Sequence, residues 1–262
     1  MVFVAGHFGE WLQGRLGPDG PVALVTLACP DRGVTVTRQG EGPLQVFGAP
    51  EVLAPALVQR FLRDLGVTLK GEVRIEPDFP PGGGAGMSTA ALVALARLAG
   101  VEGAAVARAC LQVEGASDPV MWPGADRLLW ASRRAEVLDT VGPVPQCEIL
   151  GGFQGAPERT DPTDVRFSDV ADLVADWPRA GLAGKAAIAS ESARRCSALR
   201  GPTDDPTEAL GEDLGALGHA RAHTGPARAL IFAPGTMPDG AEAQMQEAGY
   251  TGVFRFMTGE PE

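Results

Sequence analysis

The stretch Pro80-Pro81-Gly82-Gly83-Gly84-Ala85-Gly86-Met87-Ser88-Thr89-Ala90-Ala91 sets a glycine-dense loop and two hydroxyls at the mouth of an apolar segment. Glycines let backbone N–H groups come close to an anion, and the first turn of a helix adds unpaired donors carrying partial positive charge. That is phosphate-binding chemistry, although a plain surface turn between strand and helix gives the same glycines. The candidate contacts are Pro81, Gly82, Gly83, Gly84, Ala85, Gly86, Met87, Ser88 and Thr89. Ser88 and Thr89 can cap free N–H groups, meet a phosphate or ligate a metal ion. No Lys-Ser or Lys-Thr pair closes the loop, so it is not a Walker A site, and Met87 stands where a dinucleotide fingerprint needs its last glycine.

The elements that must position this loop read as a mixture of strands and helices. Residues 2–5, 10–16, 22–29 and 34–38 are β-branched or alternating runs separated by Gly, Pro and Asp, which predicts antiparallel strands and turns. Helical spacing over 51–65 and alternation over 72–76 lead into the glycine loop, and helices are expected over 88–99 and 103–113. Short strands follow at 128–132, 136–141 and 147–150, then a turn-rich stretch at 151–162 where a second lobe can begin. Helical patterns cover 168–176, 182–199 and 207–217, and the tail reads strand, helix, strand at 228–232, 239–248 and 252–257. The class is α+β.

Composition narrows the function. A net charge of −11 disfavours nucleic acid and anionic membranes as partners, so a phosphorylated ligand must be held locally, by amides and a metal ion. The only lysines are Lys70 and Lys185. No apolar run approaches a membrane span, and the opening residues lack a basic segment before an apolar core, which makes a cytoplasmic protein the expectation. Cys29, Cys110, Cys147 and Cys196 are widely spaced and read as buried thiols. His219 and His223 are spaced to share a helix face, but no Glu beside His219 completes a zinc protease motif.

Pro80-to-Ala90 resembles the phosphate loop of the GHMP kinases, which carries a Pro, spaced glycines and a serine doublet before alanine; here one serine is missing. Gly6-His7-Phe8-Gly9-Glu10-Trp11-Leu12-Gln13-Gly14 is similar to the amino-terminal Gly-x-x-Gly-Glu-x-x-Gln-Gly signature of the L-threonine kinases of cobalamin synthesis and propanediol utilisation, and Ala222-His223-Thr224-Gly225 to their Ala-His-Ser-Gly segment. The resemblance implies a two-lobed fold, with a ribosomal-protein-domain-like amino-terminal lobe over 1–152 that binds ATP and a ferredoxin-like carboxy-terminal lobe over 153–262. It implies transfer of the γ-phosphate of ATP, with Mg²⁺, to the hydroxyl of a small amino acid or alcohol such as L-threonine, in a monomer or homodimer.

Phosphoryl transfer to an alcohol needs charge neutralisation, in-line placement and sometimes a carboxylate to take the hydroxyl proton. The resemblance places a metal-binding Glu after the second helix, so Ser88 and Glu114 are the candidate Mg²⁺ ligands; a solvated helix-end acid is the plain alternative for Glu114. Ser88 and Asp118 are the candidate catalytic residues, Asp118 as general base or second metal contact, or simply as an Asx turn before Pro119. Glu10, Asp118, His223 and Thr224 are the candidate acceptor contacts, Glu10 suiting an ammonium group, with an exposed strand acid the plain alternative for Glu10 and a capping role that for His223 and Thr224. Met87 replaces the first serine of the doublet, Gly83 stands where threonine kinases often have Lys, and Ala91 where they often have Asp. These departures raise a second reading, a catalytically weakened ligand-binding or regulatory protein.

Overall fold

The computed structural model describes residues 1–260. Two long strands, β1 (Val2–Arg15) and β2 (Val22–Gln39), pair antiparallel at the centre of a ten-stranded sheet. Each was expected as two short strands. The polar and glycine residues at positions 6–9 do not break β1; they make bulges, with register shifts between Ala5 and Gly6 and between His7 and Glu10. A bulge re-aims side chains without ending the strand, which turns His7 and Glu10 toward the site described below.

From β2 the sheet continues through β4 (Glu72–Pro77) to a short parallel edge strand, β3 (Gln45–Gly48). On the other side of β1 lie β8 (Gly218–Arg221), β9 (Ala227–Phe232), β7 (Cys147–Phe153) and β10 (Thr251–Thr258). A hairpin of β5 (Leu128–Ala131) and β6 (Glu136–Thr140) hangs from β2. Strands β3 and β8 were not anticipated, since each is four residues long and neither alternates clearly. The expected lobe boundary at 152/153 falls at the end of β7.

Helix α2 (Met87–Leu98) packs on β1, β2 and β4, and α1 (Pro55–Asp64) and α3 (Ala104–Glu114) pack against α2 and each other. Helix α2 is buried on nearly all faces from Thr89 to Ala96, which is what an unbroken Ala, Leu and Val sequence requires of its surroundings. In the second half come α4 (Ala171–Asp176), α5 (Leu182–Arg200), α6 (Thr207–Asp213) and α7 (Ala241–Glu247). The end of the chain forms the expected strand–helix–strand closure, with β9 and β10 both antiparallel to β7 between them. Phe8 of β1 makes edge contacts with Phe153 of β7 and Phe254 of β10 at centroid distances of 5.1 and 5.0 Å, joining the two halves directly beneath the glycine loop. No described helix is long and apolar enough to cross a membrane.

Candidate active site

A cavity of about 320 Å³ is lined by the glycine loop, the start of α2, the end of α3, the bulged part of β1 and the turn after β8. The sequence-derived candidates, residues 81–89 together with Glu10, Glu114, Asp118, His223 and Thr224, all line it. The segment is neither sealed in the core nor separated from the acids.

The loop is fixed by its carbonyls. Those of Gly82, Gly83, Gly84 and Ala85 accept hydrogen bonds from the N–H groups of Glu158, Ala227, Gly9 and His7 at 2.9, 3.0, 3.2 and 3.3 Å, and the Gly86 carbonyl accepts from Ala90 within the helix turn at 2.9 Å. The N–H groups of residues 84–89, by contrast, have no partner among the described residues. A run of tethered carbonyls with free donors on the same backbone, leading into a helix N-terminus, is a ready receptor for an oxyanion. Gly84 is indispensable to this geometry. Its φ of 79° lies in the left-handed region, and a β-carbon there would stand 2.3 Å from Ala222 Cβ and 2.7 Å from the Thr224 carbonyl oxygen.

The acids approach from α3 and the segment after it. Glu114 ends α3, and Gly115, at φ 74°, turns the chain out of the helix. The next residues are held by β5: Ser117 N–H donates to the Ser132 carbonyl at 2.9 Å, and Trp130 Nε1 donates to the Ser117 carbonyl at 2.7 Å. Asp118 is thereby aimed back at the loop. Glu114 accepts hydrogen bonds from Ser88 Oγ and, at 2.9 Å, from Thr89 Oγ1, and Asp118 Oδ2 lies 3.4 Å from Thr89 Oγ1. Glu114 is not a free surface acid, and the Asp118 carboxylate is turned to side chains of the cavity. Burial pushes the Glu114 carboxyl up to about 7 against the two hydroxyl hydrogen bonds.

His7, which the sequence reading quoted in its motif but did not select, sits between two acids. Its Nε2 lies 3.2 Å from Asp118 Oδ2 and its Nδ1 3.8 Å from Glu10 Oε1. Burial alone would discharge the imidazolium, but Asp118, followed by Glu10, outweighs it and raises the pKa well above the usual histidine value. The same pair works on Asp118: burial opposes its charge, His7 and Thr89 overcome that, and the carboxyl stays below the usual range. Glu10 is 7% exposed rather than a surface strand acid, and burial raises it to about 7 despite His7. His7, Glu10 and Asp118 are close enough to share a metal ion, but a protonated His7 already supplies the cation there.

At the other end, the backbone N–H of His223 donates to Glu10 Oε2 at 3.3 Å, and its ring stacks on Phe167 with centroids 4.1 Å apart. Burial, with the Arg200 charge behind it, pushes His223 down to about 3, so the ring is neutral, and its Nε2 is buried without a partner. His219 lies on β8 and His223 on the turn beyond it, so the two do not share a helix face; they line different cavities. Arg133, whose guanidinium lies 5.4 Å from the Phe167 ring centroid, and Arg159 also line the first cavity. Neither arginine carried a motif that sequence could reveal. Met87 lines the cavity, but Ala91 is fully buried and does not, so the charge missing at that position is not missing from the site.

The oxygen set of Ser88, Thr89, Glu114 and Asp118 suits a hard divalent cation such as Mg²⁺, and the unpartnered N–H groups of 84–89 suit a polyphosphate. Neither family sequence models nor curated protein sequences match the chain. Solved structures do. Mevalonate kinase of L. major in complex with R-mevalonate aligns over 100% of this chain and 97% of its own at 14% identity, with a TM-score of 0.63. Mevalonate kinase of Methanococcus jannaschii aligns over 98% and 96% at 10% identity and 0.60, and homoserine kinase of Cytophaga hutchinsonii over 97% and 93% at 13% and 0.56. At these identities the likeness speaks for architecture, and the chain has the mixed α+β fold of the GHMP kinases over its full length.

Proposed function

We propose that this protein is an ATP-dependent small-molecule kinase that transfers the γ-phosphoryl group to the hydroxyl of a small amino acid or alcohol. The observation that carries the reading is the backbone of residues 82–89, where the carbonyls of Gly82 to Gly86 are engaged and the donors of 84–89 are free, directly beside Ser88, Glu114 and Asp118. The free N–H groups hold the phosphates of ATP. Ser88 and Glu114 would hold Mg²⁺, which would supply charge neutralisation for the phosphates. The acceptor oxygen bonds to the γ-phosphorus as the bond to the bridging oxygen breaks, ADP departs, and the hydroxyl proton passes to Asp118. A carboxylate kept acidic by His7 is a weak base, which suits a loose transition state in which the proton moves late.

The acceptor end favours an amino acid. Glu10 offers a buried carboxylate to an ammonium group, Arg133 offers a cation to a carboxylate, and the neutral His223 has a free ring nitrogen for a hydroxyl. L-Threonine and L-homoserine carry these groups, whereas mevalonate and galactose, acceptors of kinases with this fold, lack the ammonium. An ADP-release assay over these compounds with ATP and Mg²⁺ tests the proposal. Turnover with a hydroxy-amino acid supports it, and ATP binding without ADP release from any acceptor favours the weakened, ligand-binding reading raised by Met87.

A further inference from the structure

A second cavity of about 280 Å³ lies among α5, the start of α6 and strands β8 and β9, and shares no lining residue with the first. Its walls carry Arg194, Arg221 and Arg228 against Asp205 and Glu208, so cations outnumber acids there although acids prevail in the chain. Arg221 is 8% exposed; its Nε donates to the Ala222 carbonyl at 3.1 Å, and its Nη1 to Ser197 Oγ at 2.6 Å and the Gly201 carbonyl at 3.0 Å. Its Nη2 has no partner, and no carboxylate pairs with it among the described residues. Arg228 is also buried: Nε meets Asp205 Oδ2 at 2.6 Å, Nη1 donates to the Gly225 and Ala227 carbonyls at 3.2 and 3.0 Å, and Nη2 is again unused.

The nearby acids neutralise Arg228 and Arg194 and leave Arg221 without a counter-ion. Asp205 is taken by Arg228 and by the N–H and hydroxyl of Thr207, and Glu208 by Arg194 at 2.7 Å. His219 faces the same space, 8% exposed, with no hydrogen bond to either ring nitrogen among the described residues. A buried guanidinium without a counter-ion is costly, and burial works against the charge of Arg221. An anion placed between Arg221, Arg228 and His219 would complete the unused donors and offset that cost.

We propose that this second cavity is a binding site for a phosphate-type oxyanion, held by the Nη2 groups of Arg221 and Arg228 and by the His219 ring. Two guanidinium edges and an imidazole lining one cavity offer donors to more oxygens than a carboxylate has, and a single fork satisfies a carboxylate. The site is separate from the glycine loop and uses fixed cations in place of backbone donors.

The three histidines of the chain make the test selective, because His219 reports on this cavity while His7 and His223 report on the first. Inorganic phosphate is titrated into the whole protein and the histidine ring signals are followed by NMR, with sodium chloride and acetate at matched ionic strength as controls. The expected result is a saturable shift of His219 with phosphate alone. Thr203→Glu, at an exposed residue on the rim, should weaken that response by about tenfold while leaving His7 and His223 unchanged, since it adds only a like charge. Arg221→Gln should abolish it; if that variant fails to fold, Thr203→Glu decides. A His219 signal that phosphate leaves in place, that chloride or acetate moves equally, or that Thr203→Glu does not affect overturns the site. A phosphate response missing at His7 and His223 counts against the kinase reading instead.

Discussion

In the first cavity the attraction for an anion comes from backbone N–H groups, and the carboxylates of Glu114 and Asp118 stand beside them unpaired with any arginine or lysine. In the second it comes from guanidinium groups, and the acids within reach, Asp205 and Glu208, are consumed by them. Dipoles and charges thus attract the same ligand with different side effects. An arginine in place of the loop donors would pair with Glu114 or Asp118 and remove the oxygens that a metal ion and a hydroxyl proton need. On the proposed readings, backbone donors would attract phosphate and leave those acids free of arginine, whereas a site built on arginines would bind and do nothing more.

The sharpest way to break this contrast is Asp118→Asn. It removes the proton acceptor but keeps shape and donors, so turnover should fall by about 10²–10⁴-fold with ATP affinity nearly unchanged, as read by steady-state kinetics and calorimetry. Equal losses in both would reassign Asp118 to binding. Gly84→Val comes next, because it sets a β-carbon against Ala222 and the Thr224 carbonyl at a left-handed φ. ATP affinity should drop by roughly 100-fold, while the phosphate response of His219 persists.

A smaller effect concerns protons. Glu10 and Glu114 have ordinary values of 4.5 and are raised to about 7 by burial. A carboxyl that binds its proton more tightly in the folded state stabilises the fold while protonated. That contribution is whole below 4.5 and is lost as pH rises through about 7. Without Mg²⁺ the melting temperature should therefore decline across this window. Glu114→Gln should flatten the decline and also raise the Mg²⁺ concentration needed for turnover; an unaltered Mg²⁺ requirement would falsify the assignment of Glu114 as a ligand. Smallest of all, Thr203→Glu should leave turnover within about twofold of wild type, since surface substitutions remote from a site rarely matter.

What the sequence disclosed was local. The glycines, the hydroxyl pair and the apolar run behind them lie between Gly82 and Ala96, and their consequences for backbone donors follow from residue type alone. The pairing of His7 with Asp118 was not legible, since it depends on β1 and the segment after α3 meeting in space. Arg133, Phe167 and the β8 strand were hidden for the same reason. Direction was a second blind spot: Ala91 and Met87 looked like comparable departures and both are buried, yet only Met87 lines the cavity. The glycines at positions 6 and 9 read as a break because bulges and turns draw on the same residues.

The glycine loop hangs from both ends of the chain, from His7 and Gly9 near the beginning and from Ala227 near the end. A polypeptide emerging from the ribosome can assemble the first strands and helices long before the Ala227 N–H exists to grip the Gly83 carbonyl. The loop's anchorage is consequently complete only once residues 7, 9, 158 and 227 have all been joined, so its shape is a property of the folded whole and not of the segment that carries it.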